Sequence, residues 1–377
     1  MKIGIDARLL EPKIGLTGIA ISLLETLRQL NEIDMVNEYY LFSRKPIHCD
    51  IHFRDNWKPI VKDFPQGMMW YNTVLLNLLK KFKIDVFWNL NHILPVFKPK
   101  SCKYVVTIND IAIFKRPGIG EWTNIIKQHL FIKKTCRAAD KIIAISEATK
   151  KDLIDTMGIS GNKIVVNYLA GLGQKIIFDE NEYINIKKHY KIARKYILYL
   201  GTLEPRKNLI TLVRAYESYC EKYFELGIPQ LVIAGGHGWK FEETQKYIDS
   251  CPVKKDILQI GYISNREKSI LLSKCECFVF PSLYEGFGIP ILEAMTCGAI
   301  VITGRNSSLE EVGGEAALYI ENVQDVRELE KQLVHAMKMD DREKAFFKEK
   351  SIKQNDKFTW KKTALGIMQI MNSIYAE

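Results

Sequence analysis

Short apolar runs alternate along the chain with longer stretches in which apolar residues return every three or four positions. The runs are Lys2–Ile5, Tyr39–Phe42, Val86–Trp88, Tyr104–Ile108 and Lys141–Ile145 in the first half, and Ile197–Leu200, Leu231–Ala234, Ile257–Ile260, Cys277–Phe280 and Ala299–Ile302 in the second. Continuous runs rich in Val, Ile, Phe and Tyr suit strands buried on both faces, which is the condition of a parallel sheet. Their alternation with helix-length segments predicts βαβ units. At 377 residues the chain exceeds one ordinary core. Two Rossmann-like α/β domains are therefore expected, residues 1–178 and 190–359, with the hinge in the polar, charge-dense stretch Gly171–Lys195. Beyond Thr359 a helical pattern (Trp360, Ala364, Ile367, Met368, Met371) predicts a last helix, 360–377, free to pack back on the first domain.

Composition leaves this picture intact: 47% hydrophobic and 26% charged residues are ordinary for a globular protein and exclude a collagenous or disordered chain. Met1–Asp6 turns polar at once and no window reaches about 18 apolar residues, so a cytoplasmic chain without a signal or membrane span is expected. The eight cysteines are scattered, with neither a disulfide framework nor paired zinc spacing.

Charge adds something new. Residues 1–200 hold 31 Lys and Arg against 19 Asp and Glu, whereas residues 201–377 hold 23 against 25. A basic half suits nucleic acid, an anionic membrane surface or a phosphorylated acceptor. The lysines form no compact cluster with interleaved aromatics, which sets nucleic acid aside. Met68–Lys83 (MMWYNTVLLNLLKKFK) reads either as core packing or as an interfacial membrane helix ending in Lys80, Lys81 and Lys83.

The candidate chemistry lies mainly in the second half. Phe280–Met295 (FPSLYEGFGIPILEAM) reads as a strand end, a glycine-bearing loop and a helix start, with Pro290 early in the helix, Glu293 in its first turn and Gly298 at its stop. Free N–H groups there suit an anion, Gly286 and Gly288 permit close backbone approach, and Glu285 stands where ligands of open α/β sheets bind. In Tyr199–Leu209 (YLGTLEPRKNL), Arg206 and Lys207 stand at a strand's carboxyl end, two adjacent cations suited to a diphosphate. In the first half, Gly4–Arg8 followed by Gly15 and Gly18 reads as strand, glycine loop and helix, and Asn109-Asp110 ends another strand. No Asp-x-Asp occurs and the histidines show no ligand spacing, so no metal site is expected.

Glu285 and Glu293, seven residues apart within Pro-Ser-Leu-Tyr-Glu-Gly-Phe-Gly, resemble the Glu-x7-Glu signature of glycosyltransferase family 4. The resemblance covers nearly the whole chain and is strongest from Tyr196 to Val312. It implies a GT-B architecture with a cleft between the domains and retaining transfer of a hexosyl-type unit from a GDP-, UDP- or dTDP-sugar. The acceptor would be a saccharide or lipid-linked saccharide, as in surface polysaccharide or glycolipid synthesis; the text leans toward bacterial mannosyl- and rhamnosyl-transferases.

The resemblance also implies roles. Glu285 contacts the donor sugar and Glu293 the ribose hydroxyls; Arg206 and Lys207 hold the diphosphate; Gly286, Phe287, Gly288 and Ile289 border the donor. Ile263, in Gly261–Ser264, borders the base, the Gly15 and Gly18 loop closes over the phosphates, and Asp110 contacts the acceptor. No cofactor beyond the donor is implied. Two positions depart from the family pattern: Thr202 stands where many members carry Arg, and Asn109 where they carry His. Ser146 should cap a helix, and Ser308 with Glu311 a second one through a capping box. Two rivals remain at this level. An oxidoreductase would need a dinucleotide fingerprint that Gly15–Gly18 lacks, and a non-catalytic nucleotide- or carbohydrate-binding protein of the same fold stays open.

Overall fold

The computed structural model describes residues 1–12, 17–63, 69–111, 131–171 and 176–377. The chain divides into two compact units, Met1–Leu169 with Trp360–Glu377, and Ala170–Thr359.

In the first unit seven parallel strands pair in the order β3-β2-β1-β4-β5-β6-β7. They are β1 (Lys2–Asp6), β2 (Glu38–Ser43), β3 (Trp57–Val61), β4 (Val86–Asn89), β5 (Lys103–Ile108), β6 (Lys141–Ala144) and β7 (Ile164–Val166). Apolar clusters cover both faces. One joins Ile3, Ile5, Trp88 and Val105 to Leu23, Leu27 and Leu30 of the helix Gly18–Ile33. The C-terminal helix Trp360–Ala376 belongs to this same cluster through Ala364, Ile367, Ile370, Met371 and Ile374. Gly366 lets that helix lie close, because a Cβ there would stand 2.0 Å from Asn167 Oδ1; the Asn167 amide donates to the Thr363 carbonyl at 3.0 Å.

The second unit holds six parallel strands in the order β10-β9-β8-β11-β12-β13: β8 (Tyr196–Leu200), β9 (Gln230–Ala234), β10 (Ile257–Gly261), β11 (Cys277–Phe280), β12 (Val301–Gly304) and β13 (Ala317–Ile320). Each sheet reverses its strand order once, between β1 and β4 in the first unit and between β8 and β11 in the second. At such a switch point the loops leaving neighbouring strands diverge, opening a crevice outside the carboxyl ends.

β3, β7 and β13 lie outside the runs picked from the sequence. All three are edges of their sheets: β3 carries Lys58 and Pro59 on an exposed stretch, β7 has three residues and β13 four. Charge and proline on an edge suppress further pairing and break the apolar run of β3, whereas β7 and β13 are apolar but short. Trp70, Tyr71, Leu75, Leu76 and Leu79 of the Met68–Lys83 stretch are buried, whereas Met69 is exposed; Met68 itself lies outside the described residues. Core packing is the structural outcome for those side chains.

A close approach in the second unit shapes its crevice. Gly235, just past β9, has φ of 147°, and a Cβ there would meet the Gly201 carbonyl oxygen at 1.9 Å, whereas a Cβ on Gly236 would meet nothing within 4 Å. Gly235→Ala should therefore lower stability by about 1–3 kcal/mol with Gly236→Ala nearly neutral; thermal unfolding of the two variants checks this, and equal midpoints would contradict it.

Candidate active site

The loops leaving β8 and β11 at the second unit's switch point bring Arg206, Lys207 and Glu285 together. After β8, Gly201 (φ 151°) starts a turn that ends in the short helical segment Pro205–Lys207, and Asn208, in the left-handed region (φ 57°), redirects the chain into the helix Leu209–Lys222. Asn208 is buried and its amide donates to the carbonyls of Pro281 (3.1 Å) and Val323 (2.6 Å). This ties the β8 loop to the β11 loop and positions the two cations.

Glu285 is 8% exposed. Its Oε1 accepts from Lys207 Nζ at 2.7 Å and from the Ser282 hydroxyl at 2.6 Å. Arg206 Nη1 stands 3.1 Å from Oε2 and also donates to the Tyr284 carbonyl at 2.9 Å; its Nη2 pairs with Glu204 at 2.7 Å. Lys207 Nζ lies 4.6 Å from the centre of the Phe280 ring. Burial pushes the Glu285 pKa up, but the Lys207 and Arg206 charges and the hydrogen bonds to Lys207 and Ser282 outweigh it, leaving the carboxyl below its ordinary value. At neutral pH it is an anion held by two cations.

The loop after β12 supports this arrangement from below. The Glu285 amide donates to the Ser307 hydroxyl at 3.0 Å, and the Ser308 hydroxyl donates to the carbonyls of Glu285 (2.9 Å) and Phe287 (2.7 Å). Ser308 makes no side-chain cap on the helix Leu309–Gly313, so the expected capping box with Glu311 is corrected: the hydroxyl is already committed to the glycine loop. Ser307 and Ser308 thus support the site in ways that short-range sequence signals could not reveal, since their partners lie in another loop.

Gly288 (φ 114°) precedes the helix Ile289–Cys297, Pro290 occupies its first turn and Gly298 (φ 80°) ends it. A Cβ on Gly288 would stand 3.0 Å from Leu309. Because the helix begins at Ile289, Glu293 falls beyond its first turn, which corrects the placement read from the sequence. Glu293 instead pairs with Lys268 at 2.6 Å, with 12% of its side chain exposed. Gly286 and Phe287 are buried in the glycine loop and Ile263, after β10, is half-buried.

In the first unit Gly18 opens the helix Gly18–Ile33 behind a Thr17 cap, while Gly15 lies outside the described residues. Ser146 caps the helix Glu147–Met157. Asp110 follows β5 beside Asn109, and Asn109 meets His92, a residue with no assigned role from sequence. The Asn109 backbone N–H donates to His92 Nε2 at 2.9 Å, so Nε2 is the acceptor and any proton of the neutral ring sits on Nδ1. Burial pushes the His92 pKa down against the opposing pull of the Asp110 charge. An imidazole arriving from the β4 loop thus stands beside Asn109.

Comparison with known proteins follows the same division. The model of glycosyl transferases group 1 matches residues 182–354, and that of Glycosyltransferase Family 4 matches residues 18–169. O-antigen chain mannosyltransferase B of Escherichia coli is 28% identical over 283 residues, covering 75% of this chain and 72% of that protein. The serotype-specific mannosyltransferase WbdA of E. coli is 30% identical over 234 residues, 60% of this chain but only 28% of WbdA. Among solved structures, sucrose-phosphate synthase of Thermosynechococcus elongatus matches with a TM-score of 0.78 at 17% identity, covering 100% and 99% of the two chains. Anabaena HepE, crystallised with UDP and glucose, matches at 0.73 and 14% identity, with 99% of each chain covered.

The two family matches together with the two parallel-sheet units identify a glycosyltransferase of the GT-B class. Residues 18–169 carry the Glycosyltransferase Family 4 domain and residues 182–354 the glycosyl transferases group 1 domain.

Glu285→Gln should lower stability at pH 7 by on the order of 1–3 kcal/mol by leaving Lys207 and Arg206 facing a neutral amide. Because the native carboxyl titrates below its unfolded value, its contribution is complete above the ordinary carboxylate range and vanishes as pH falls through the native value. The gap in unfolding midpoint between parent and variant should therefore close on acidification; a constant gap would contradict the charge assignment.

Proposed function

We propose that the chain transfers a mannosyl or similar hexosyl unit from a nucleotide sugar to a saccharide or lipid-linked saccharide acceptor in surface polysaccharide synthesis, with retention and without a metal ion. The observation that carries this is the convergence of Lys207 and Arg206 on Glu285 at the switch point of the second unit. The relatives' names supply the lean toward mannose, and HepE's complex with UDP and glucose supports a nucleotide-sugar donor.

The donor's diphosphate competes with Glu285 for Lys207 and Arg206. The anomeric C–O bond to the leaving phosphate breaks, and the two cations take up the charge that grows on the phosphate oxygens. The acceptor hydroxyl bonds to the anomeric carbon from the same face, and its proton passes to the departing phosphate oxygen. Glu285, released from Lys207, becomes an acceptor for donor sugar hydroxyls, Glu293 holds the ribose hydroxyls, and Gly286, Phe287, Gly288, Ile289 and Ile263 border the nucleotide. Following the family resemblance, Gly15 and Gly18 are assigned to the phosphates and Asp110 to the acceptor. Among the described residues no group of three His, Cys, Asp or Glu is placed to hold a metal ion. No helix among the described residues is long and apolar enough to cross a membrane. The basic first half supports peripheral attachment to an anionic cytoplasmic membrane surface through charge, since residues 70–79 bury their large side chains.

Three measurements check this reading. In a thermal-shift panel of GDP, UDP, dTDP and their sugars, one nucleotide class should raise the midpoint equally with and without EDTA; a shift abolished by EDTA would contradict the metal-free site. Glu285→Ala and Lys207→Ala should each reduce transfer by about 10²-fold or more with unchanged circular dichroism, and unaltered turnover would sink the assignment. Liposomes of anionic lipid at low salt should pellet the protein; absence of pelleting removes the membrane surface as a partner.

A further inference from the structure

The first unit has a switch point of its own, between β1 and β4, and it carries a built cationic site that the donor chemistry does not use. Asp6, at the end of β1, is 2% exposed, and Asn89, at the end of β4, is fully buried. Asp6 Oδ1 accepts from the Arg8 amide (3.2 Å) and Arg8 Nε (2.9 Å), while Oδ2 accepts from Arg8 Nη2 (2.7 Å), the Tyr71 hydroxyl (3.0 Å) and the Asn89 amide (3.0 Å). The carboxylate is saturated by these five donors and grips the guanidinium along one edge. The guanidinium carbon also lies 4.3 Å from the Trp70 ring centre and 4.1 Å from that of Tyr71. Both rings stand at the start of a π-helical turn, Trp70–Leu75, a backbone form concentrated at functional sites.

This grip is one-sided. Among the described residues nothing accepts a hydrogen bond from Arg8 Nη1, and the side chain keeps 12% of its surface exposed. Asp6 occupies Nε and one N–H of Nη2, so the opposite edge, with Nη1 and the second N–H of Nη2, keeps the paired geometry that fits two oxygens of a phosphate. A guanidinium clamped between two rings and a carboxylate has already lost its rotamer freedom, so a ligand gains the contact without ordering the side chain.

We propose that Arg8 is the anchor for a phosphate or diphosphate ester carried by the acceptor. This rests on the reading that the first unit receives the acceptor while the second holds the donor. The ester belongs either to a lipid-linked saccharide or to a phosphorylated sugar, two sources with the same recognition chemistry. Asp6, Tyr71 and Trp70 are positioning residues, and Arg8 itself touches the ester.

The test titrates the full chain with geranyl diphosphate and with mannose 6-phosphate, using geraniol and mannose as uncharged controls and GDP and UDP as donor-side ligands. Thermal midpoint and tryptophan fluorescence are the readouts. One ester should bind where its uncharged counterpart does not, and which one it is separates the lipid from the sugar source. Arg8→Lys should weaken that ester by about tenfold while leaving the nucleoside diphosphate affinity unchanged. Arg8→Gln strands the Asp6 charge, so the double variant Asp6→Asn with Arg8→Gln, which removes both charges, serves as the second probe and should abolish ester binding. The proposal is overturned if neither ester binds the parent, if Arg8→Lys binds the ester as tightly as the parent, or if Arg8→Lys weakens nucleoside diphosphate by the same factor. Intact nucleoside diphosphate binding beside absent ester binding sinks this inference alone; absent nucleoside diphosphate binding sinks the donor-site reading.

Discussion

The buried ion cluster of Glu285 with Lys207 and Arg206 is the interaction on which the rest of the second unit's crevice depends. A carboxylate at 8% exposure is tolerable only because two cations and the Ser282 hydroxyl meet it. The two cations come from the β8 loop, Lys207 being 78 residues earlier in the chain, so the cluster forms only when β8 and β11 are neighbours. Asn208 then locks the two loops together, and Ser307 and Ser308 hold the backbone around Glu285 from a third loop. Chemistry and architecture are coupled here: the strand order that buries both sheet faces also leaves the strands' carboxyl ends as the one place where charge can gather.

The same cluster makes the donor's task specific. Lys207 and Arg206 are already neutralised by Glu285 and Glu204, so a single weak anion gains little by displacing them. On the proposed reading a diphosphate offers more charge and more oxygens, and a sugar would give the released Glu285 carboxylate new donors. Exchange of partners inside a buried site allows one charge set to serve both the resting and the loaded protein. The first unit repeats the principle on a smaller scale, where Asp6 and two aromatic rings hold Arg8 by one edge.

Much of the site was legible along the chain because its parts are contiguous. Pro281–Glu293 spans a strand end, a glycine loop and a helix start, and Tyr199–Leu209 spans a strand and its cationic turn; both are short-range patterns with strong punctuation. The central strands were legible for the same reason, being continuous apolar runs. Edge strands β3, β7 and β13 were not, because Lys58 and Pro59 interrupt β3 and because β7 and β13 have only three and four residues. The Glu293 position illustrates a finer limit: shifting the helix start by a residue or two moves a carboxylate out of the first turn, and only the backbone dihedrals at Gly288 decide it.

The sequence by itself determined the class of fold, the central strands, and the two contiguous motifs assigned to the donor, because each depends on residues near one another in the chain. Tertiary structure alone decided which groups meet: Ser308 with the glycine loop rather than with Glu311, His92 with Asn109, the inward packing of Trp70 to Leu79, and the clamping of Arg8 by Asp6, Tyr71 and Trp70. Tyr71 reaches Asp6 across 65 positions and Asn89 across 83. No local pattern encodes such pairings; they follow from strand order, because burial leaves a polar group no partner except the one that the sheet brings beside it.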